Sequence, residues 1–337
     1  MVAAARSPFP YYTGSCDTVG NHLIAVGHAI RTLDLKPGAS VLEFGPGWGN
    51  TTLALAMMGF DVTAVDIEAK FCRLIETRAA QAGIPVSVVN GDFAWIETIG
   101  EPVDAVLFFE CFHHASDHLR IIRALARATK EDGKVYFAAE PINADFPLPW
   151  GLRLDGESLW AIRKNGWLEL GFNESYFVLA MMKHGWSMAK HSTDATPWGT
   201  VLVASKRVPQ SIKLTASDPS IRMQVGERQR DGSIAATGEP GYMVFGPYLT
   251  LPGDQYRLTL HGVATSIPKQ PVVVDVAVNG GRDVLAVQHI ATTEDKRPAL
   301  CVLDFDVFFG AQDLEVRVRV PSGTKLSISG YTIESRD

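Results

Sequence analysis

Cysteine is scarce in this chain and never clustered: Cys16, Cys72, Cys111 and Cys301 are scattered through 337 residues. No C-x-x-C pair suggests zinc and no dense framework suggests disulfides, so reduced thiols are expected. An excess of positive charge is also missing. Lys and Arg number 31 against 37 Asp and Glu, a formal net charge of -6, which argues against a nucleic-acid partner, because affinity for phosphate backbones comes largely from clustered cations. Nowhere do about 18 apolar residues run together, and the N-terminal ten residues hold no apolar core long enough for a signal peptide. No transmembrane segment is expected, and the protein is expected to be cytoplasmic. The remaining composition, 46% hydrophobic and 20% charged, can bury a sizeable core. At about 100 to 200 residues per domain the length predicts two domains.

The first two-thirds alternate strand-like and helix-like stretches. Apolar residues at helical spacing predict a helix over about 16–33, and Pro37-Gly38 breaks it before a first strand at 41–44. Further strands are predicted at 61–65, 86–89, 105–109 and 135–139, with helices at about 51–58, 69–82 and 117–129 between them. Such alternation argues for an α/β, doubly wound parallel sheet covered by helices, with ligands at the carboxyl ends of its strands.

The first strand runs into Glu43-Phe44-Gly45-Pro46-Gly47-Trp48-Gly49-Asn50-Thr51. Glycines are needed where φ turns positive or where a ligand approaches the backbone. Their spacing does not fit the dinucleotide fingerprint G-x-G-x-x-G, whose third glycine would fall at Asn50, and no Lys precedes Thr51 as a phosphate-cradling loop requires. The segment resembles motif I of class I S-adenosylmethionine-dependent methyltransferases, E/D-x-G-x-G-x-G, filled by Glu43, Gly45, Gly47 and Gly49. The resemblance covers roughly residues 35–205. It implies a Rossmann-like fold with a terminal antiparallel hairpin, and S-adenosyl-L-methionine as cofactor, with Pro46, Asn50 and Thr51 completing the loop.

Two neighbouring strand ends extend the resemblance. Asp66 lies about twenty residues after Gly45, where a doubly wound fold brings an acid to a ribose, and Ile67 follows it. Asp66 equally suits the cap of the helix beginning near Ala69. In Gly91-Asp92-Phe93 the family places a polar residue for the adenine amino group and an apolar one against the ring, although Gly-Asp is also an ordinary turn pair.

The fourth strand ends in Glu110-Cys111-Phe112-His113-His114. The family implies that this end lies beside the methionine part of the cofactor, with Glu110 and Cys111 near it. Imidazole titrates closest to neutrality and suits a general base for an acceptor hydroxyl. His114 and His113 are the candidates, His114 favoured because His113 directly follows the strand and would point inward. A metal is not expected, since adjacent histidines need further ligands and no third is spaced nearby.

After Glu140 comes a segment, 141–180, rich in aromatic residues and cations. It is read as an acceptor-side insert, whose Trp150, Arg153, Arg163 and Tyr176 are candidate substrate contacts together with Glu140 before it, or as an accessory core. Tyr11 and Tyr12 belong to an N-terminal lid and helix, 1–34. The helix and turn at 179–188 precede a sixth strand, and 200–205 a seventh, together the hairpin of the family.

Past about residue 208 period-two patterns replace helical ones, as at 256–260, 272–278 and 314–320, with turn signals at Asn279-Gly280 and Pro252-Gly253. The division expected is a methyltransferase domain over 1–208 and an antiparallel β-sandwich or jelly roll over 209–337. The latter loosely resembles carbohydrate-binding modules, or serves a homo-oligomer. The function expected is an O-methyltransferase acting on a hydroxyl of a sugar or bacterial surface polysaccharide. Alternatives are a small-molecule or lipid acceptor, and a catalytically silent binding scaffold.

Overall fold

The structure is a computed structural model that describes residues 15–291 and 299–336. Its contacts divide the chain after Lys206 into two compact units. Among the described residues no helix is long and apolar enough to cross a membrane, and all four cysteines are unpaired.

The first unit is built on a seven-stranded sheet of order β3-β2-β1-β4-β5-β10-β9. Its strands are β1 (Ser40–Phe44), β2 (Asp61–Asp66), β3 (Ser87–Asn90), β4 (Val103–Phe109), β5 (Thr129–Ala138), β9 (Trp186–Ser192) and β10 (Thr200–Lys206). Strands β1 to β5 pair in parallel, while β10 runs antiparallel to both β5 and β9. Helices α1 (Cys16–Leu33), α2 (Asn50–Met57), α3 (Ala69–Ala82) and α4 (His118–Ala128) fill the connections. The amphipathic α1 buries Ala25, Val26, Ala29 and Leu33 in a core shared with Val41, Val62, Tyr136 and Val201.

Parallel register sets the strand ends level with one another. Phe44 pairs with Val65 and Phe108, and Phe108 with Phe137. Phe44, Phe108 and Phe137 thus stack across three strands at centroid distances of 5.3 Å, with Phe112 edge-on to the latter two at 5.1 and 4.9 Å. Such pairs contribute about 0.5–1.5 kcal/mol each beyond area burial. They pack the strand ends after which Gly45, Glu110 and, one residue further on, Glu140 emerge.

Between β5 and β9 lies a small sheet in which β8 (Leu170–Asn173) pairs with β6 (Ile142–Asn143) and β7 (Trp150–Leu152), joined by α5 (Gly156–Asn165) and followed by α6 (Glu174–Lys183). These strands are too short to show a period in sequence. The fifth large strand also begins earlier than its apolar stretch, at Thr129, because its outer residues are exposed and polar.

The second unit is all β. Its shorter strands are β11 (Ser211–Thr215), β12 (Gly226–Arg228), β13 (Ile234–Ala236), β14 (Gly241–Val244), β15 (Pro247–Leu251) and β19 (Cys301–Val307). The long strands are β16 (Asp254–Ser266), β17 (Val272–Val278), β18 (Asp283–Ile290), β20 (Ala311–Val320) and β21 (Lys325–Ser335). One antiparallel sheet has the order β12-β13-β21-β16-β19 with β11 beside β21, the other β14-β20-β17-β18 with β15 beside β20. Buried residues of both sheets, among them Leu258, Val274, Val318 and Ile333, form one core cluster. Asn279 and Gly280 both adopt positive φ in the tight turn from β17 to β18 (Asp283–Ile290), and Asp313 accepts hydrogen bonds from their two N–H groups.

Candidate functional site

The loop after β1 turns on three glycines with φ of +58°, +53° and +72° at Gly45, Gly47 and Gly49. A Cβ on Gly45 would lie 2.6 Å from the Cys111 Cβ, and one on Gly49 2.6 Å from Ile75 Cγ1, whereas one on Gly47 would meet nothing within 4 Å. The outer two therefore permit close packing, and the middle one leaves the backbone open. Gly49 ends the turn, its N–H donating to the Pro46 carbonyl at 2.8 Å, and it precedes α2 without a side-chain cap.

Acidic groups surround the loop. Glu43 is buried and accepts a 2.5 Å hydrogen bond from the Thr52 hydroxyl. Burial pushes its carboxyl up to about 7; the Thr52 bond opposes this and the Asp66 charge adds to it. Asp66 accepts from the Gly47 N–H at 3.0 Å and the Glu68 N–H at 2.8 Å. Burial raises its pKa against those two bonds. The helix cap that Asp66 might have supplied comes instead from Glu68, which accepts from the Lys70 N–H. Asp92 caps a short 3₁₀ helix (Phe93–Thr98) through the Ala94 N–H, and Phe93 packs on Phe44 and Phe108. Ile67 is 76% exposed beside them.

A cleft of about 1560 Å³ runs from this loop, past Asn50, Thr51, Asp66, Ile67, Asp92 and Phe93, to the ends of β4 and β5. Thr51 is buried, and the Asn50 Oδ1 accepts from Arg78 at 3.0 Å. At its far end the backbone is strained, with φ of +50° at Glu110 and +56° at Ala139. Non-glycine residues persist in this region only where surrounding contacts enforce it, and they gather at functional sites.

Those contacts centre on Glu140. Its carboxylate accepts from the backbone N–H groups of Cys111 (2.8 Å), Phe112 (2.7 Å) and His113 (3.1 Å), and pairs with His113 Nδ1 at 2.8 Å. Burial would raise its pKa, but His113 and these donors hold it below the ordinary value. Glu140, expected to meet the acceptor, lines the cleft with both oxygens engaged by the turn from Cys111 to His113. Cys111 is likewise turned inward: its thiol donates to the Phe44 carbonyl at 3.0 Å.

The two histidines differ sharply. His113 is 7% exposed, with Nδ1 on Glu140 and Nε2 3.4 Å from Glu169. Burial would lower its pKa, yet the two carboxylates prevail and push it to about 9, which favours the protonated ring and makes it the poorer base of the two. His114 lies with Nδ1 2.5 Å from the Leu168 carbonyl. A carbonyl only accepts, so this bond assigns the proton to Nδ1 and leaves the Nε2 lone pair as the accepting side. Burial and then the His113 charge lower its pKa, keeping it neutral. Glu110 faces the same group, raised to about 7 by burial and next by Glu140.

Glu169 has no local sequence signal, since 55 residues separate it from His114. It supplies the third group that the spacing of the pair withheld: donor atoms of His113, His114 and Glu169 lie within 4.8 Å of one another, a spacing a metal ion could use. Here those groups serve one another and the backbone. Arg153 lines the cleft with Trp160 and Trp167, its Nη1 3.8 Å from Glu169. Three other expected substrate contacts do not line it. Trp150 packs on His118 at 5.0 Å and Tyr176 bonds the same histidine at 2.8 Å, while Arg163 is exposed on the last turn of α5. Tyr11 and Tyr12 lie outside the described residues.

Residues 41–133 match the family described as a methyltransferase domain. Among curated proteins, the ubiquinone biosynthesis O-methyltransferase of Methylobacterium nodulans is 28% identical over 130 residues, 36% of this chain and 52% of that protein. The protein of the same name from Xanthomonas oryzae pv. oryzae is 32% identical over 117 residues, 34% and 48% of the two chains. The chain thus spans about half the length of the curated relatives it matches. Among solved structures, the Burkholderia thailandensis 1,6-didemethyltoxoflavin-N1-methyltransferase with bound S-adenosylhomocysteine is 18% identical, covering 61% of this chain and 85% of that one with a TM-score of 0.42. A SAM-dependent methyltransferase from Aquifex aeolicus is also 18% identical, covering 53% and 88% with a TM-score of 0.39.

Proposed function

We propose that this methyltransferase domain, an enzyme domain whose cofactor is S-adenosyl-L-methionine, transfers a methyl group to a hydroxyl oxygen with His114 as general base. The observation that carries the reading is the cleft itself, which joins a glycine loop with an open backbone at Gly47 to a neutral imidazole whose Nε2 is the accepting side. Gly45, Gly47, Asp66, Ile67, Asp92 and Phe93 would hold the cofactor. When bound, the cofactor supplies an activated methyl on sulfur, so little covalent work is left to the protein. The chain's own part is to align the acceptor, exclude water and take one proton at His114 Nε2.

The acceptor class we propose is a sugar or the end of a surface polysaccharide. Support comes from Trp160, Trp167 and Arg153 at the cleft, since aromatic faces and a guanidinium suit a polyhydroxylated ligand. We assign residues 1–208 to methyl transfer, with 141–180 on the acceptor side, and 209–337 to a β-sandwich that holds the glycan or joins a second copy. The names of the curated relatives favour a second reading, a phenolic small molecule or lipid. The two differ in their need for a base, because a phenol ionises near pH 10 and a sugar alcohol far less readily. His114→Asn is expected to slow transfer from labelled S-adenosylmethionine to a sugar by about 10²–10⁴-fold, with cofactor affinity unchanged by calorimetry. Undiminished transfer to sugar would dispose of the base, and transfer to a catechol alone would move the assignment to the second reading.

A further inference from the structure

The two histidines are gripped from outside the sheet by consecutive residues of the insert. Leu168 accepts from His114 Nδ1, and Glu169 places Oε2 3.4 Å from His113 Nε2 and Oε1 4.0 Å from His114 Nδ1. Glu169 is itself fixed: it is 7% exposed, its carbonyl accepts from the Arg153 N–H at 2.9 Å, and Arg153 Nη1 lies 3.8 Å from its carboxylate. Charged groups facing the pair are Glu110 from the end of β4, Glu140 from the end of β5, and Arg153 and Glu169 from the insert.

We propose that Glu169 is a positioning residue: together with Glu140 it holds the His113 ring from both sides, and the segment that carries it presents His114 to the acceptor with Nε2 free. Three features of the geometry favour this over a chance ion pair. Glu140 alone already satisfies His113 Nδ1 and the backbone of the turn, so a second buried carboxylate on Nε2 is not needed to hold the turn. A carboxylate this buried is costly unless charge and hydrogen bonds compensate it, and His113 and Arg153 are the cations within its reach. Finally, rings 4.1 Å apart cannot both be protonated without repulsion, so a His113 kept charged by Glu169 keeps His114 neutral. The base is therefore assembled only when the insert is seated on the sheet edge, which ties acceptor binding at Trp160 and Arg153 to readiness for proton transfer.

The inference rests on the histidine pair facing the acceptor, but its test needs none. In full-length protein labelled with ¹⁵N-histidine and assigned through His113→Asn, nitrogen chemical shifts followed against pH report the charge and tautomer of each ring. The wild type is expected to show His113 doubly protonated at neutral pH and His114 neutral with its proton on Nδ1. Glu169→Gln should lower the His113 midpoint by about one unit or more and mix the His114 tautomers, with S-adenosylmethionine affinity unchanged; Glu169→Asp should recover part of both. Should the Gln variant fail to fold, the Asp variant alone must show a smaller drop of the same sign. A wild-type His114 protonated on Nε2, or a His113 midpoint indifferent to Glu169, overturns the proposal. Intact shifts with failed methyl transfer would instead fault the base assigned above.

Discussion

Glu43 owes its chemistry to where the fold has put it. A carboxyl with an ordinary value of 4.5 sits fully buried and titrates at about 7, so between those values the folded protein holds a proton that the unfolded chain has released. The stability linked to Glu43 is therefore complete below about pH 4.5 and is lost as pH rises through about 7. Glu43→Gln keeps the hydrogen-bonding shape towards Thr52 and removes the titration. Denaturant titrations of the variant should show the stability loss across that window flattened by up to ~1.4 kcal/mol per pH unit. Glu110 titrates in the same range with the same sign, so part of the slope will remain. A slope identical to wild type would mean that Glu43 is ionised throughout.

At the scale of the element, the insert between β5 and β9 is the part that local signals served worst. Helix α5 is held at its start by Asp155, which accepts from the Ser158 N–H at 2.9 Å and from its hydroxyl at 2.9 Å. Replacing such a cap with Ala costs about 1 kcal/mol. Asp155→Ala should lower stability by that amount and raise the KM for the acceptor, while calorimetry finds the cofactor affinity unchanged; weakened cofactor binding would show that the insert also supports the glycine loop. The large sheet was legible because its strands are apolar runs punctuated by Gly, Asp and Pro, and Gly45, Asp66 and Asp92 announce their positions at the strand ends. Glu169 was not, since its partner is 56 residues away at His113 and nothing in a local window encodes that meeting. The part Glu140 plays within the protein was hidden for a related reason. A carboxylate after a strand reads as available for substrate until the three N–H groups of the turn from Cys111 to His113 are seen closing on it. Thr52 escaped notice because a hydroxyl in a helical run carries no pattern of its own.

For the whole molecule, the described residues place separate buried cores in the two units, one around Val41, Val62 and Val201, the other around Leu258, Val274 and Ile333. Each is large enough to melt cooperatively by itself. Scanning calorimetry of the full chain is expected to resolve two transitions, and saturating S-adenosylmethionine should raise the midpoint of only one by mass action. One transition that shifts as a unit would mean the cores unfold together.

The hydrogen bond from the Gly47 N–H to Asp66 bears on which cofactors the loop refuses. In dinucleotide-binding folds the amides of the glycine turn and the start of the next helix are left for a pyrophosphate. Here one of those amides is already answered by the Asp66 carboxylate, with Glu68 beside it. A phosphate entering this loop would have to displace an anion and then lie beside another. Like charge at this turn therefore weighs against a phosphate before shape is tested, while a ligand without phosphate meets no such barrier.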